Sequence, residues 1–286
     1  TDGVEHGLSP RPVSAQERNP VEIECDRRAR TLSEHLGPDS RLIVRPPFIV
    51  AGDLPEETLD RQYQQTIVPT AQALSLAFFD TEPTEPITIL MFANDESYQA
   101  TARKLDQRSS ADYHGYYIRT DRRIVLNLST GDGTLAHELT HALAHADFPN
   151  MPEWFDEGLA SLFEEASFTD DGLLLHGQSN WRLNHLLDAM QKKKLGTLES
   201  LASARRVEPS KQQLQYAQSR YFCLFLQGHD LLPIFYRKFR ARVARDPSGF
   251  QTLCSIFGTE NLDPVDREFR QWVIDIYREQ HGVAAR

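Results

Sequence analysis

The sequence predicts an α+β protein in which a mixed lobe of strands and helices precedes an all-helical lobe. Short β-rich apolar segments, such as residues 86–92, alternate with helical patterns up to residue 131, and only helical periodicity follows. The chain has 286 residues, of which 40% are hydrophobic and 25% charged, as in an ordinary globular protein with a sizeable core. We expect an N-terminal extension (1–40), a mixed lobe (41–165) and a helical C-terminal lobe (166–286).

The predicted elements begin with a short helix from Val21 to Leu36. A strand is predicted from Arg41 to Val50, and Pro46 and Pro47 inside it indicate a sheet edge or a bulge, because proline cannot donate to the ladder. The later elements are, in order, a helix, a strand, a helix, a hairpin and six helices, over residues 54–79, 86–92, 95–105, 115–128, 134–147, 152–165, 181–194, 210–226, 231–243 and 264–280.

The charge of the chain limits its partners. The formal net charge is -10, from 41 acidic and 31 basic residues, which disfavours nucleic acid or an anionic membrane as the main partner. No stretch of apolar residues is long enough for a transmembrane helix. Because the chain begins at Thr1 instead of Met, export after removal of a signal peptide is one expectation, and trimming for another reason is the alternative.

The three cysteines do not form a recognisable motif. Cys25, Cys223 and Cys254 are widely spaced and include no CxxC pair, which argues against a zinc knuckle or a redox motif. Cys223 and Cys254 lie in apolar helical segments, where a buried thiol is the usual explanation. One disulfide with one free thiol is the alternative.

The segment HELTH at residues 137–141 carries the chemistry. Side chains four residues apart lie on one face of a helix, with Cβ atoms about 6 Å apart, so His137 and His141 can bind one ion. Glu138 is rotated roughly 100° around the helix from His137, which places it beside the metal as a base for bound water. His145 extends the same face and is expected to support the ligands or lie on the surface.

A catalytic zinc site needs a third protein ligand and an open position for water. Glu157 follows a proline-rich turn at 149–152, so a second helix can fold back and present its carboxylate. Asp147, six residues after His141, is the rival. Metzincin-like sites take a ligand at that offset, but they use a glycine three residues after the second histidine to turn the chain, and here Ala144 occupies this position. We therefore prefer Glu157.

HELTH followed by EWFDEGLA at residues 153–160 resembles the gluzincin clan of metallopeptidases, whose members carry HExxH and then W-x-x-E-G-x-A. The chain looks most like the bacterial peptidases grouped as peptidase-MA-like. The resemblance is strong over residues 112–165 and weaker over 210–228. It implies a zincin-like fold, Zn²⁺ as the cofactor, Glu157 as the third ligand and a peptide or protein as the substrate.

A later segment, from Tyr216 to Leu226, resembles the tyrosine segment of the clan. The resemblance implies that the Tyr216 hydroxyl donates a hydrogen bond to the developing oxyanion, with Tyr221 as the runner-up. A tyrosine half-buried in a core helix is the structural alternative. Ser161, one turn after Glu157, lies where clan members often place a group that orients a ligand histidine.

One departure from the clan concerns substrate binding. The GxMEN-type segment with which aminopeptidase relatives hold a free amine is missing before His137, and a hairpin precedes the motif instead. Clan members use an edge strand in this region to pair with the peptide backbone, so we expect an endopeptidase-like cleft. The alternatives are a zinc-binding scaffold without turnover, a metallohydrolase that acts on another bond, and a helical interaction protein without metal.

Overall fold

The computed structural model describes residues 19–107, 114–204 and 209–282. It confirms the predicted α+β class, with a small mixed sheet among many helices. Among these residues, none of the helices has both the length and the apolar character required to cross a membrane. The helices and strands are α1 (Pro20–His35), β1 (Arg41–Arg45), β2 (Phe48–Gly52), α2 (Glu56–Gln62), a π-helical segment (Tyr63–Ile67), α3 (Val68–Ala77), β3 (Ile87–Phe92), α4 (Asp95–Asp106), β4 (Gly115–Ile118), β5 (Arg123–Asn127), α5 (Asp132–Asp147), α6 (Glu153–Phe163), β6 (Ala166–Phe168), β7 (Leu175–Gly177), α7 (Arg182–Gln191), α8 (Leu198–Ser203), α9 (Gln212–Gly228), α10 (Leu232–Arg242), α11 (Phe250–Phe257) and α12 (Asp263–Gln280), with 3-10 turns at Leu128–Thr130 and Pro209–Lys211.

Five strands form the main sheet, in the order β1-β2-β3-β5-β4. The central strands β2, β3 and β5 run parallel, and the outer strands β1 and β4 pair antiparallel with their neighbours. β3 is buried along its whole length, because side chains from its two faces belong to two different apolar clusters. In the described part of the chain, β4 pairs only with β5 and is an edge strand of the sheet.

Two predictions about this architecture are wrong. The strand expected from Arg41 to Val50 is a hairpin, in which β1 and β2 pair antiparallel with Arg45 opposite Phe48. Consecutive prolines remove two backbone donors, so the chain turns there instead of continuing one ladder. The helical lobe also contains strands, since β6 and β7 form a hairpin whose turn includes Gly172 at a φ of 71°.

The helix α5, which carries HELTH, lies in the middle of the main core. Its buried Leu135 and Leu139 belong to the same cluster as Ile124 and Leu126 of the sheet and Phe155 of α6. This cluster continues through α9 and α10 to α12, so α5 is packed between the sheet and the C-terminal helices. All three cysteines are buried and none forms a disulfide, as buried structural thiols require.

A glycine allows α6 and α9 to pack closely. A Cβ atom on Gly158 would lie 2.9 Å from the Cys223 Sγ atom and 2.9 Å from the backbone oxygen of Ser219. Both of these residues belong to α9. Because Gly158 directly follows Glu157, this close approach brings α9, and Tyr216 on it, next to the carboxylate proposed as the third ligand.

The buried Arg220 joins α9 to the end of α6. Its Nη2 atom donates to the backbone oxygens of Leu162, Glu165 and Gln178 at 3.4, 3.4 and 2.6 Å. Leu162 lies in the last turn of α6, where a cation is favourable because the carbonyl groups there are unpaired. Burial lowers the pKa of Arg220 to about 10, so the side chain stays charged at neutral pH. Arg220 thus fixes the β6–β7 hairpin and α6 to α9.

Candidate metal centre

His137, His141 and Glu157 come together where α5 and α6 meet. The two histidine Nε2 atoms are 3.2 Å apart, and the Glu157 Oε2 atom lies 3.8 Å from each of them. Tetrahedral zinc ligands at bond lengths of about 2.0–2.1 Å lie roughly 3.3 Å from one another. The donor set therefore fits Zn²⁺ if the carboxylate oxygen moves by roughly half an ångström.

The pKa values of the two histidines are shifted in opposite directions, so the pair carries one positive charge at neutral pH. Burial lowers the pKa of His137 well below its usual range, and the nearby His141 lowers it further. Burial also lowers the pKa of His141, but the Asp156 carboxylate outweighs this effect and raises the pKa to about 10. The rings are thus arranged to hold one cation, a proton or a metal ion, between their Nε2 atoms.

Asp156 holds the His141 ring with its Nε2 atom towards His137 and Glu157. Its Oδ1 atom lies 2.8 Å from the Nδ1 atom of His141, and its Oδ2 atom lies 2.8 Å from the Nε2 atom of His145. Since a carboxylate only accepts hydrogen bonds, both of these ring nitrogens carry protons, and the Nε2 atom of His141 is left for a metal. His145 lies beside the proposed ligands, bonded to Asp156.

The assignment of this orienting role to Ser161 is wrong. The Ser161 Oγ atom is buried and has no hydrogen-bond partner among the described residues. Asp156, the residue before Glu157, orients the His141 ring instead. His141, His145 and Asp156 also form a second group of close ligand atoms. Their 2.8 Å separations are hydrogen-bond distances, shorter than the roughly 3.3 Å between tetrahedral ligands, so we interpret this group as support for the first.

Replacing Asp156 by Asn should weaken zinc binding by about 10- to 100-fold. The amide has only one accepting oxygen and no negative charge, so it cannot accept hydrogen bonds from both histidines as the carboxylate does. A titration against a competing zinc chelator would measure the affinity. Ser161→Ala is the matched control on the same helix and should bind zinc as the wild type does. Equal zinc affinity in Asp156→Asn and the wild type would contradict the role of Asp156.

Glu138 and Tyr216 face the same cleft as His137. The cleft has a volume of about 410 Å³. Glu138 is buried, which raises the pKa of its carboxyl group to about 7. Burial raises the pKa of Tyr216 well above its usual range, and the carboxylate of Glu157, with which the hydroxyl forms a hydrogen bond, raises it further. Gln212 donates to the same hydroxyl oxygen at 3.2 Å. Tyr216 therefore remains a protonated donor beside the proposed ligands.

The runner-up, Tyr221, has a structural place. It is fully buried, and its hydroxyl lies 2.8 Å from the Ser179 Oγ atom. The same hydroxyl accepts from the backbone nitrogen of Asn180 at 3.0 Å and donates to the backbone oxygen of Asn180 at 2.9 Å. Tyr221 thus anchors the segment that precedes α7, and its hydroxyl is fully used there.

The rival ligand, Asp147, is engaged in a different network. Its Oδ1 atom accepts from the backbone nitrogens of Asp80 and Thr81, both at 3.1 Å, and from the Thr81 hydroxyl at 2.8 Å. The same atom pairs with Arg240, and Oδ2 accepts from the Tyr236 hydroxyl at 3.0 Å. Asp147 therefore joins α5 to α10 and to the segment after α3.

Sequence patterns did not identify three other residues at the cleft. Trp181, Arg182 and Glu164 line it together with His137. Arg182 forms an ion pair with Glu164, and its guanidinium lies 4.4 Å from the centre of the Trp181 ring. The β6–β7 hairpin separates Glu164 from the other two along the chain, so no local spacing marks this group.

Comparison with known proteins adds no further information on the site. A scan against protein-family models gives no match, and a search of curated proteins finds no similar sequence.

Proposed function

We propose that this chain is a zinc-dependent metallopeptidase of the gluzincin type, with a zincin-like mixed lobe, that cleaves peptide bonds inside a chain. One observation carries the proposal: the Nε2 atoms of His137 and His141 and the Oε2 atom of Glu157 converge within 3.8 Å of one another. Next to them a buried carboxylate, Glu138, faces a cleft. The likeness of HELTH and EWFDEGLA to the gluzincin pattern supports the same conclusion.

Each residue of the site has a separate role in the proposed reaction. His137, His141 and Glu157 would hold a zinc ion, which would supply Lewis-acid chemistry to the attacking water and the scissile carbonyl. Glu138 accepts the proton of the attacking water and passes it to the leaving nitrogen. The Tyr216 hydroxyl stays protonated beside Glu157, and its one proton would turn from the Glu157 carboxylate to the developing oxyanion during the reaction.

The edge strand β4 supports a peptide as the substrate. Gly115, the first residue of β4, lines the same cleft as His137 and Glu138. Among the described residues β4 pairs with β5 on one side only, so its other edge can add an extended peptide by backbone hydrogen bonds. Such pairing does not depend on a free amino terminus, and this favours an endopeptidase.

Removal of zinc tests the proposed function. The purified chain should contain about one zinc per molecule, and o-phenanthroline should abolish its cleavage of casein and of a mixed peptide library. Added zinc should restore the cleavage, and a non-chelating isomer of phenanthroline should have no effect. Elemental analysis and mass spectrometry of the products measure the two quantities. A chain that binds zinc tightly yet cleaves no peptide would favour a zinc-binding scaffold instead.

A further inference from the structure

Trp181 lies on the wall of the cleft that contains His137 and Glu138, and 55% of its surface is exposed. Six large apolar side chains are exposed among the described residues, namely those of Ile23, Leu76, Phe168, Leu173, Trp181 and Ile234. Of these six, Trp181 alone lines the cleft. Isolated apolar residues are normal on a protein surface, but an exposed indole ring at a candidate site offers a contact surface to a ligand.

Two neighbours on α7 hold the Trp181 ring in place. The guanidinium of Arg182 lies over one face, 4.4 Å from the ring centre. The His185 ring lies nearly perpendicular to the indole, with ring centres 5.3 Å apart and planes at 81°. Arg182 is itself fixed by its ion pair with Glu164, which follows α6. A side chain that is already held in this way loses little conformational entropy when a ligand binds to it.

The backbone around Trp181 is also held in place. The backbone nitrogen of Asn180 donates to the buried Tyr221 hydroxyl at 3.0 Å, and the backbone oxygen of Asn180 accepts from the same hydroxyl at 2.9 Å. The side-chain oxygen of Asn180 accepts from the backbone nitrogen of Arg182 at 3.1 Å. Both residues that flank Trp181 are therefore tied to α9 or to each other, and Trp181 has a preorganised position in the cleft.

Trp181 also lies close to the proposed zinc ligands. Burial is the main cause of the lowered pKa of His137, and the charges of His141 and Arg182 lower it further. Arg182 is thus within electrostatic range of a proposed ligand, and the Trp181 ring is stacked on its guanidinium. A substrate side chain next to the scissile bond can therefore reach the Trp181 ring.

The charged groups of the cleft do not favour a charged substrate side chain beside Trp181. Apart from two histidines, the charged side chains of the lining in the described part of the chain are those of Glu138, Glu164 and Arg182. Glu164 and Arg182 neutralise each other, and Glu138 is the proposed base. A charged substrate side chain would lose water beside a pair that is already neutralised, whereas an apolar one gains by contact with the indole ring.

We propose that Trp181 binds a large apolar or aromatic substrate side chain, so that the enzyme prefers Phe, Tyr or Leu directly next to the bond that it cuts. The proposal rests on the proposed peptidase function and names its substrate class. In a hydrophobic pocket one methylene group changes kcat/KM by about 10- to 200-fold. Because the Trp181 ring is an open surface and not a closed pocket, we expect a preference of about 30-fold for Phe over Ala.

The test first identifies the bonds that the wild type cuts in a mixed peptide library by mass spectrometry. Phe, Tyr and Leu should be enriched on one side of the cut bond. Two quenched fluorogenic peptides that differ only in Phe or Ala at that position then give the ratio of kcat/KM values. Trp181→Ala should reduce the preference for Phe from about 30-fold to about threefold, and Trp181→Phe should keep most of it. An unchanged preference in Trp181→Ala would overturn the proposal.

Phe168→Ala is the matched control, because it removes an exposed aromatic ring on β6, outside the cleft. It should leave the preference for Phe unchanged. An equal loss of preference in Trp181→Ala and Phe168→Ala, or cleavage without enrichment of large apolar residues, would overturn the role of Trp181 while the peptidase stands.

A binding measurement separates this proposal from the peptidase. The affinities of two fluorescein-labelled peptides, which differ in a single Phe or Ala, are measured for the full chain by fluorescence anisotropy. If the wild type cleaves nothing but binds the Phe peptide more tightly, and Trp181→Ala abolishes this difference, the peptidase proposal fails and the aromatic site stands. Equal binding of the two peptides without any cleavage would overturn both.

Discussion

Replacing Glu138 by Gln should lower kcat/KM for peptide cleavage by about 1,000-fold, while the purified protein keeps about one zinc per chain. Glutamine has the shape of glutamate but cannot take a proton from water, so the general base is lost and the cleft keeps its form. Glu138 supplies none of the three convergent ligand atoms, so the zinc content of the protein should not change. Peptide hydrolysis assays and elemental analysis of the same preparation measure both quantities.

Glu260→Gln is a suitable control, since this exposed glutamate follows α11 and should affect neither measurement. A loss in kcat with little change in KM would show that Glu138 acts in the transition state and not in substrate binding. Wild-type cleavage by Glu138→Gln would remove Glu138 from the mechanism. If zinc content falls together with cleavage, Glu138 holds the metal site together and the base must be another group.

The parts of the fold that the sequence predicts well are those with long helical periodicity. The HELTH helix, expected from residue 134 to 147, ends at Asp147 as predicted, because a buried helix repeats its apolar positions many times. The strands β6 and β7 have three residues each and show no repeat. The hairpin at Pro46 was missed because pairing of β1 with β2 depends on contacts between strands, which a single segment does not reveal.

The same distinction applies to the candidate site. His137, Glu138 and His141 follow from spacing within one helix, and the structure places them as that spacing predicts. Asp156 could not be assigned in this way. Its neighbour Glu157 is also a carboxylate, and which of the two faces the Nδ1 atom of His141 depends on how α6 is rotated against α5. That rotation is set by packing of α6 on α5 and α9, where Gly158 allows close contact.

Glu157→Gln should weaken zinc binding by more than about 100-fold. Loss of a residue that only supports a metal ligand costs up to about 100-fold, and loss of a ligand itself should cost more. Its amide is a much poorer ligand than a carboxylate, and only the two histidines would remain to hold the ion. Titration against a competing chelator measures the loss. The fold should persist, which circular dichroism checks, because the Glu157 carboxylate lies beside His137 and His141 and does not belong to the apolar core.

Asp147→Asn is the contrasting variant, and it should bind zinc as the wild type does but lose about 3 kcal/mol of stability to urea. It leaves Arg240 without its buried anionic partner. Burial raises the pKa of Asp147, but hydrogen bonds from Thr81 and Arg240 outweigh this and hold the pKa below its ordinary value. The stabilisation is therefore complete above the unfolded pKa of about 3.9 and is lost as the pH falls through the lower folded pKa. The stability difference between the wild type and Asp147→Asn should accordingly shrink in acid.

Loss of zinc in Asp147→Asn with normal zinc binding in Glu157→Gln would reverse the assignment of the third ligand. In that case α5 would have to bend after His141, which its continuous helix to Asp147 argues against.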